Sequence, residues 1–261
     1  MTIKEKAIFS AVSPLPSVEL LGVRLSYTGE NVDGSFLLQI DQLQINGGKI
    51  HCIYGTNGCG KTSLLQLLSG AISLSEGSIK WKNVSEPKPG KDFVLVSQAG
   101  PWPHWSVWKN ICEPQIELGI PRSEAKQKTG DIINIMGLQG LEDRHAHQLS
   151  AGQQQRTVLS RALVLSPKIL LLDEVLSGQS EYWAERIASV LDEFVGLGGM
   201  AIIVSHDPEW VMMNADCITH IVSDQSDKIS SAHFFCGYDG RSKDWPSFRE
   251  KRLKMFKKDI S

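Results

Sequence analysis

The 261-residue sequence predicts an α/β fold: a mainly parallel sheet with helices packed on it, an antiparallel β subdomain, and an inserted helical subdomain. Three observations carry this. From Gly152 onward, stretches with helical spacing alternate with short apolar runs, the pattern of strands and crossover helices. Residues 18–27 and 35–43 alternate loosely between apolar and polar, as half-buried strands do. Between Gln98 and about Ser150 the texture turns helical, punctuated by Pro121 and Gly137.

Each element follows from a local pattern. After the turn at Gly47-Gly48, residues 50–54 form a short apolar strand that runs directly into glycines. Residues 61–68 have helical spacing, with Leu64, Leu65, Leu67 and Leu68 on a broad apolar face. A strand over 77–81, a Pro/Lys/Gly surface loop over 87–91 and a buried strand over 93–97 come next. The helical block holds helices over 107–118 and 123–136. Beyond it the sequence predicts a helix from Gly152 to Leu165, a strand over 169–172, a helix over 181–194 and a strand over 201–204.

Composition narrows the function classes. With 41% hydrophobic and 21% charged residues the chain has ample material for a core. A net charge of -2 gives no overall pull toward nucleic acid. No apolar run reaches the length of about 18 residues that a transmembrane helix needs. Residues 1–17 carry lysines without an apolar region behind them, so no secretory signal is expected. Five cysteines without a C-x-x-C pair fit a reduced, cytosolic protein. Charge is uneven, however. Residues 241–261 hold eight Lys or Arg against three Asp or Glu, a net of +5, which leaves about -7 on the rest.

The chemistry begins at "YGTNGCGKTS", residues 54–63. It matches G-x-x-x-x-G-K-[ST], with Gly55, Gly60, Lys61 and Thr62 in place, a strand before and a helix after. Glycines let the backbone curl so that successive N–H groups, from Thr56, Asn57, Gly58, Cys59 and Gly60 through to Ser63, point at phosphate oxygens. The helix N-terminus adds partial positive charge. Lys61 would bridge β- and γ-phosphates, and the Thr62 hydroxyl would bind Mg²⁺. The core is therefore expected to be of the P-loop NTPase type.

"LLLDE", residues 170–174, ends an apolar run in two carboxylates, which are costly to bury without a counter-charge. This strand is expected beside the one carrying the phosphate loop. Asp173 would then orient Mg²⁺ through water, and Glu174 would accept a proton from the attacking water.

"LSAGQQQR", residues 149–156, resembles the signature motif of the ATP-binding cassette (ABC) family, usually L-S-G-G-Q, with Ala151 in place of one glycine. "VSQAGPWP" resembles that family's Q-loop, with Gln98 as its glutamine, and "VSHD" its switch segment, with His206. Tyr27 stands where the family places an aromatic that stacks on adenine. The resemblance covers residues 18–222. It implies an ABC ATPase domain over 18–240, with 98–150 inserted, flanked by an N-terminal extension (1–17) and a basic tail (241–261). It implies that Gln98 touches Mg²⁺ or water and that His206 hydrogen-bonds the γ-phosphate and positions Glu174. It also implies a dimer of two cassettes, homodimeric or with a related chain. In that dimer Ser150, Ala151, Gly152 and Gln153 of one subunit close over the ATP of the other. A separate transmembrane permease would hold this cytoplasmic subunit at the inner face of the membrane.

Four features stay open. After Glu174 the family's usual run is Pro-Thr-Ser-Ala-Leu-Asp, whose aspartate couples the two sites; here Ser180 takes that place, which implies weakened coupling. Trp102, Trp105 and Trp108 either anchor a permease helix or form a small aromatic core. Cys59 is either a thiol of lowered pKa or a small filler. In the tail, Trp245, Phe248, Arg252 and Phe256 near one helical face fit an anionic membrane, a partner surface, or a plain solvated end. The function expected is an ATPase powering a permease. An ABC ATPase acting on nucleic acid or in assembly is the alternative. A P-loop kinase or GTPase leaves the signature, Gln98 and His206 without a role.

Overall fold

The computed structural model describes residues 8–27, 36–84, 87–97, 104–176, 178–224 and 229–236. The chain builds β1 (Ser17–Tyr27), β2 (Phe36–Asn46), β3 (Lys49–Gly55), α1 (Lys61–Leu68), β4 (Glu76–Lys82) and β5 (Phe93–Ser97). The helical block contributes α2 (Val107–Glu117) and α3 (Arg122–Ile135). Then come α4 (Ala151–Leu163), β6 (Ile169–Asp173), α5 (Glu181–Gly196) and β7 (Met200–Val204). The last described elements are α6 (Pro208–Asn214), β8 (Cys217–Asp224) and β9 (Ile229–Cys236). These three follow the last strand expected from the sequence, over 201–204.

The described strands form one sheet in the order β4-β1-β2-β9-β8-β3-β7-β6-β5. Neighbours from β8 through β3, β7 and β6 to β5 run parallel. The antiparallel part, β1 with β2 and β4, is joined to them rather than separate: β9 runs parallel to β2 and antiparallel to β8. One expectation fails here. The strand of Asp173 does not lie beside the phosphate-loop strand, because β7 is inserted between β3 and β6. Every residue of both β6 and β7 is buried, so each needs a neighbour on both sides and helices on both faces. The half-buried β5 takes the edge instead.

Two apolar layers sandwich the parallel strands. Cys52, Leu170, Leu172, Ala201 and Ile203 face one core, shared with Leu159 and Leu163 of α4 and with Leu191 and Phe194 of α5. Ile53, Leu171, Ile202 and Val204 face the other, shared with Leu64, Leu65 and Leu68 of α1 and with β1 and β2. Period-2 alternation in the strands thus serves both layers at once. Residues 8–16 of the N-terminal extension pack against the domain: Ile8 and Phe9 are buried, and the Phe9 ring meets Phe194 edge-on at 5.5 Å. The Val12 N–H donates to the Leu197 carbonyl at 2.8 Å. The basic tail lies outside the described residues.

His51, on β3, is buried, and its Nε2 shares a 2.7 Å hydrogen bond with the Thr219 hydroxyl of β8. Burial pushes its pKa down from 6.5 to about 3. The unfolded chain therefore binds a proton that the folded chain refuses between those two values. Stability from this group is complete above pH 6.5 and is lost as pH falls toward 3, at a slope of at most about 1.4 kcal/mol per pH unit. Urea midpoints of His51→Gln, which cannot titrate, are expected to fall less steeply than wild type between pH 6.5 and 4. Parallel slopes would refute the assignment.

Candidate functional site

Parallel register puts the candidate residues in one row. Ser97 pairs with Asp173, Asp173 with Val204, Val204 with Ile53, and Ile53 with Thr219. At that row, or within two residues of it, β5, β6, β7 and β3 end, and the loops that leave them carry the motifs. This edge, at the carboxyl ends of parallel strands, is where α/β sheets place ligands.

From β3 comes the phosphate loop. A Cβ on Gly55 would sit 2.5 Å from the Ile221 carbonyl oxygen and 2.6 Å from the Cys59 sulfur, so only glycine fits. Gly60 precedes α1 in the left-handed region, with φ 102°, and no side chain caps the helix. The first N–H groups of α1 are left to a ligand. Thr56, Asn57 and Gly58 are exposed at the loop crest, and Thr62 is exposed on the first turn beside the half-buried Ser63. Lys61 is 5% exposed, and its ammonium donates to the carbonyls of Gly55 at 2.9 Å and Thr56 at 2.8 Å. The loop thus holds its own cation in place. Cys59 is buried among Ile53, Leu64 and Leu65, and burial pushes its thiol pKa up against the pull of Lys61. It is a packing residue, and a lowered-pKa thiol does not form here.

From β6 come the carboxylates. Although β7 intervenes, α1 leaves β3 and packs against both β6 and β7, which brings Thr62 to Asp173. Burial pushes the Asp173 carboxyl up; the Thr62 hydroxyl bound to it pulls it down, Glu174 raises it, and Lys61 lowers it. Asp173 Oδ1 is buried and has no hydrogen-bond partner. An orphaned carboxylate oxygen beside a threonine hydroxyl is a donor set suited to a hard divalent cation. No cluster of three or more His, Cys, Asp or Glu among the described residues is placed to hold a metal. Such a cation would draw its remaining oxygens from nucleotide and water, as Mg²⁺ does.

Glu174 adopts φ 53°, left-handed and unusual for a residue with a Cβ. Its N–H donates to the Val204 carbonyl at 3.1 Å, which continues the β6–β7 ladder around the bend. The bend turns the carboxylate toward β7's exit, where His206 Nδ1 lies 3.4 Å from Glu174 Oε1. His206 is held by neighbours that the sequence reading passes over. The Ser205 N–H donates to Ile53 O at 3.2 Å, and its hydroxyl accepts from the Asp207 N–H at 3.1 Å. Asp207 caps α6 through the N–H groups of Glu209 and Trp210. The S-x-D pattern before Pro208 was the available signal.

Other candidates stand apart from this row. Ser150 is the N-cap of α4: its hydroxyl accepts from Gln153 N–H at 3.3 Å while Gln153 Oε1 accepts from Ser150 N–H at 2.9 Å. Gln153 is thus committed to a capping box, and Ser150 and Ala151 are exposed at the helix tip, with Gly152 half-buried behind them. Ser180 is exposed at the N-cap of α5 and makes no capping bond. Gln98, Trp102 and the Tyr27 side chain lie outside the described residues. Trp108 packs against the core, whereas Trp105 is half-buried with the Lys109 ammonium 4.8 Å from its ring. Of the two readings of the tryptophans, Trp108 fits the core one.

Comparison with known proteins adds four findings. Residues 38–177 match the family described as ABC transporter. The chain is 30% identical over 202 residues to the tungstate uptake system ATP-binding protein TupC of Peptoclostridium acidaminophilum, covering 77% of this chain and 94% of that protein. It is 34% identical over 209 residues to the spermidine/putrescine import ATP-binding protein PotA of Haemophilus influenzae, where the match takes 78% of this chain but only 55% of the relative. The fold matches a dimeric ATP-binding cassette solved in a post-hydrolysis state with ADP and Pi, at TM-score 0.70 and 21% identity, over 85% of this chain and all of that one.

A left-handed Glu174 makes a stability prediction. Glycine tolerates this conformation and alanine does not, so Glu174→Gly should be more stable than Glu174→Ala by about 1 kcal/mol in urea titrations. Equal stabilities would show that the bend carries no strain.

Proposed function

The chain belongs to the ABC transporter family, and on that premise we propose that it is the ATP-hydrolysing, nucleotide-binding subunit that dimerises on ATP and drives a separate permease. The observation that carries the reading is the juxtaposition of the phosphate loop, the orphaned Asp173 oxygen and the Glu174–His206 pair along one sheet edge.

In this reading the ATP phosphates lie against the N–H groups between Thr56 and Ser63, and Lys61 exchanges a carbonyl for a phosphate oxygen. Tyr27 supports the adenine. Thr62, Asp173 through water, and Gln98 would hold Mg²⁺, which would supply positive charge to the phosphates. Glu174 accepts the proton of a water whose oxygen attacks the γ-phosphorus as the bond to the β-phosphate oxygen breaks. His206, 3.4 Å from Glu174 Oε1, orients that carboxylate and donates toward the γ-phosphate. The exposed Ser150 and Ala151 at the tip of α4 support a role for Ser150, Ala151, Gly152 and Gln153 on the ATP of a second subunit. ATP then joins two cassettes and its hydrolysis releases them.

Membrane association would be indirect. No helix of the described residues is long and apolar enough to cross a membrane. A groove of about 520 Å³ between the edge strand and the helical block, lined by Val94, Leu95, Pro114, Leu118, Val158 and Arg161 among others, supports docking of a permease segment. The names of the similar proteins, uptake and import, support inward transport.

Glu174→Gln tests the mechanism. ATPase activity should drop about 10²- to 10⁴-fold, and gel filtration with ATP should show a trapped dimer. A strictly monomeric variant would sink the dimer mechanism. Ser180→Asp tests the weakened coupling: the rate, the cooperativity in ATP, or both should rise, and no change in either would remove the idea.

A further inference from the structure

Gln179 occupies the end of the loop that begins at Glu174 and uses both halves of its amide to reach α4. Its Nε2 donates to the Gly152 carbonyl at 3.3 Å and to Gln155 Oε1 at 2.7 Å. Its Oε1 accepts from Arg156 Nη1 at 3.3 Å. The orientation of the amide is fixed by chemistry, since an arginine only donates and a carbonyl only accepts. Arg156 is itself immobilised: it is buried, its Nε donates to the Met136 carbonyl at 3.0 Å, and its guanidinium lies 4.0 Å from the Trp183 ring centroid on α5. Gly152 has no side chain to hold the amide away; a Cβ there would come within 3.3 Å of Gln179 Oε1.

The consequence is a direct mechanical link. Gly152 is the second residue of α4, two places from the N-cap Ser150, while Gln179 is five residues from Glu174. Ser180, at the place of the family's coupling aspartate, makes no side-chain bond to the helix it caps. We infer that Gln179 is a positioning residue that clasps the loop behind Glu174 to the first turn of the signature helix, so that engagement of Ser150 by a partner's ATP is felt at Glu174 of the same chain. This rests on the proposed reading of Ser150 as facing a partner's nucleotide. The route runs within one subunit, from the site it shares with its partner to its own carboxylate, through one hydrogen bond to Gly152 in the first turn of α4 and one each to Gln155 and Arg156 in the next.

The clasp is tested on the full-length chain with Gln179→Leu, which removes all three hydrogen bonds at similar volume. Gln179→Glu is the second variant; it keeps an acceptor for Arg156 but cannot donate to Gly152. Steady-state ATPase rates against ATP concentration should show the Hill coefficient falling to about 1. The coupling between sites should drop about two- to thirty-fold, with equilibrium ATP binding to dilute monomer unchanged. A residue that only supported the fold would instead lower binding and thermal midpoint together and leave the coefficient alone. If Gln179→Leu does not fold, Gln179→Glu decides. Wild-type cooperativity retained in the folded variants, or no cooperativity in the wild type, overturns the inference. A Glu174→Gln chain that never dimerises removes the premise with it, whereas a trapped dimer beside an unchanged Gln179→Leu overturns the clasp alone.

Discussion

Parallel pairing in strict register, from Ser97 through Asp173 and Val204 to Ile53, is the constraint on which the site depends. Because the strands run the same way and are level, their exits fall along one edge, and each exit delivers a different group. β3 delivers a backbone loop and a lysine, β6 two carboxylates, and β7 a histidine. A slip of one residue in any pairing would turn every side chain of that strand to the opposite face. It would also expose Leu170, Leu172, Ile202 or their neighbours to the wrong apolar layer. Core packing and site geometry are therefore enforced by the same contacts.

Electrostatics at that edge follow from burial. Lys61 is almost wholly enclosed, yet two carbonyls of its own loop satisfy it, so the positive charge is available in place before any nucleotide arrives. Asp173 is equally enclosed and only partly satisfied, with one oxygen toward Thr62 and the other without a partner. An arrangement of this kind carries a standing desolvation cost that a cation would offset. Glu174, by contrast, is left partly open to water beside an exposed His206.

Around this edge the fold adds links in the second layer. Asp207 ties the His206 loop to α6, Ser205 ties it to β3, and Gln179 with Arg156 ties the Glu174 loop to α4 and, through Trp183, to α5. The Ser205 and Gln179 links join segments distant in sequence, whereas the Asp207 cap is local. They hold these loops in defined relation to the helices.

Much of this was legible in the linear chain. Lys61 and Thr62 follow from glycine spacing between a strand and a helix, and Asp173 and Glu174 from an apolar run that ends in charge. Ser150 follows from the resemblance to the signature motif, and most strands and helices from their periodicity. Each of these signals is local, written within a few residues by backbone geometry and side-chain size. Strand order was not legible, and the expectation of β6 beside β3 fails because β6 and β7 compete for interior places by burial on both faces, a property of the whole sheet. The left-handed bend at Glu174, the packing of Cys59 against α1 and the clasp of Gln179 onto α4 belong to the same class. They depend on which surfaces meet, and only the assembled tertiary structure decides that.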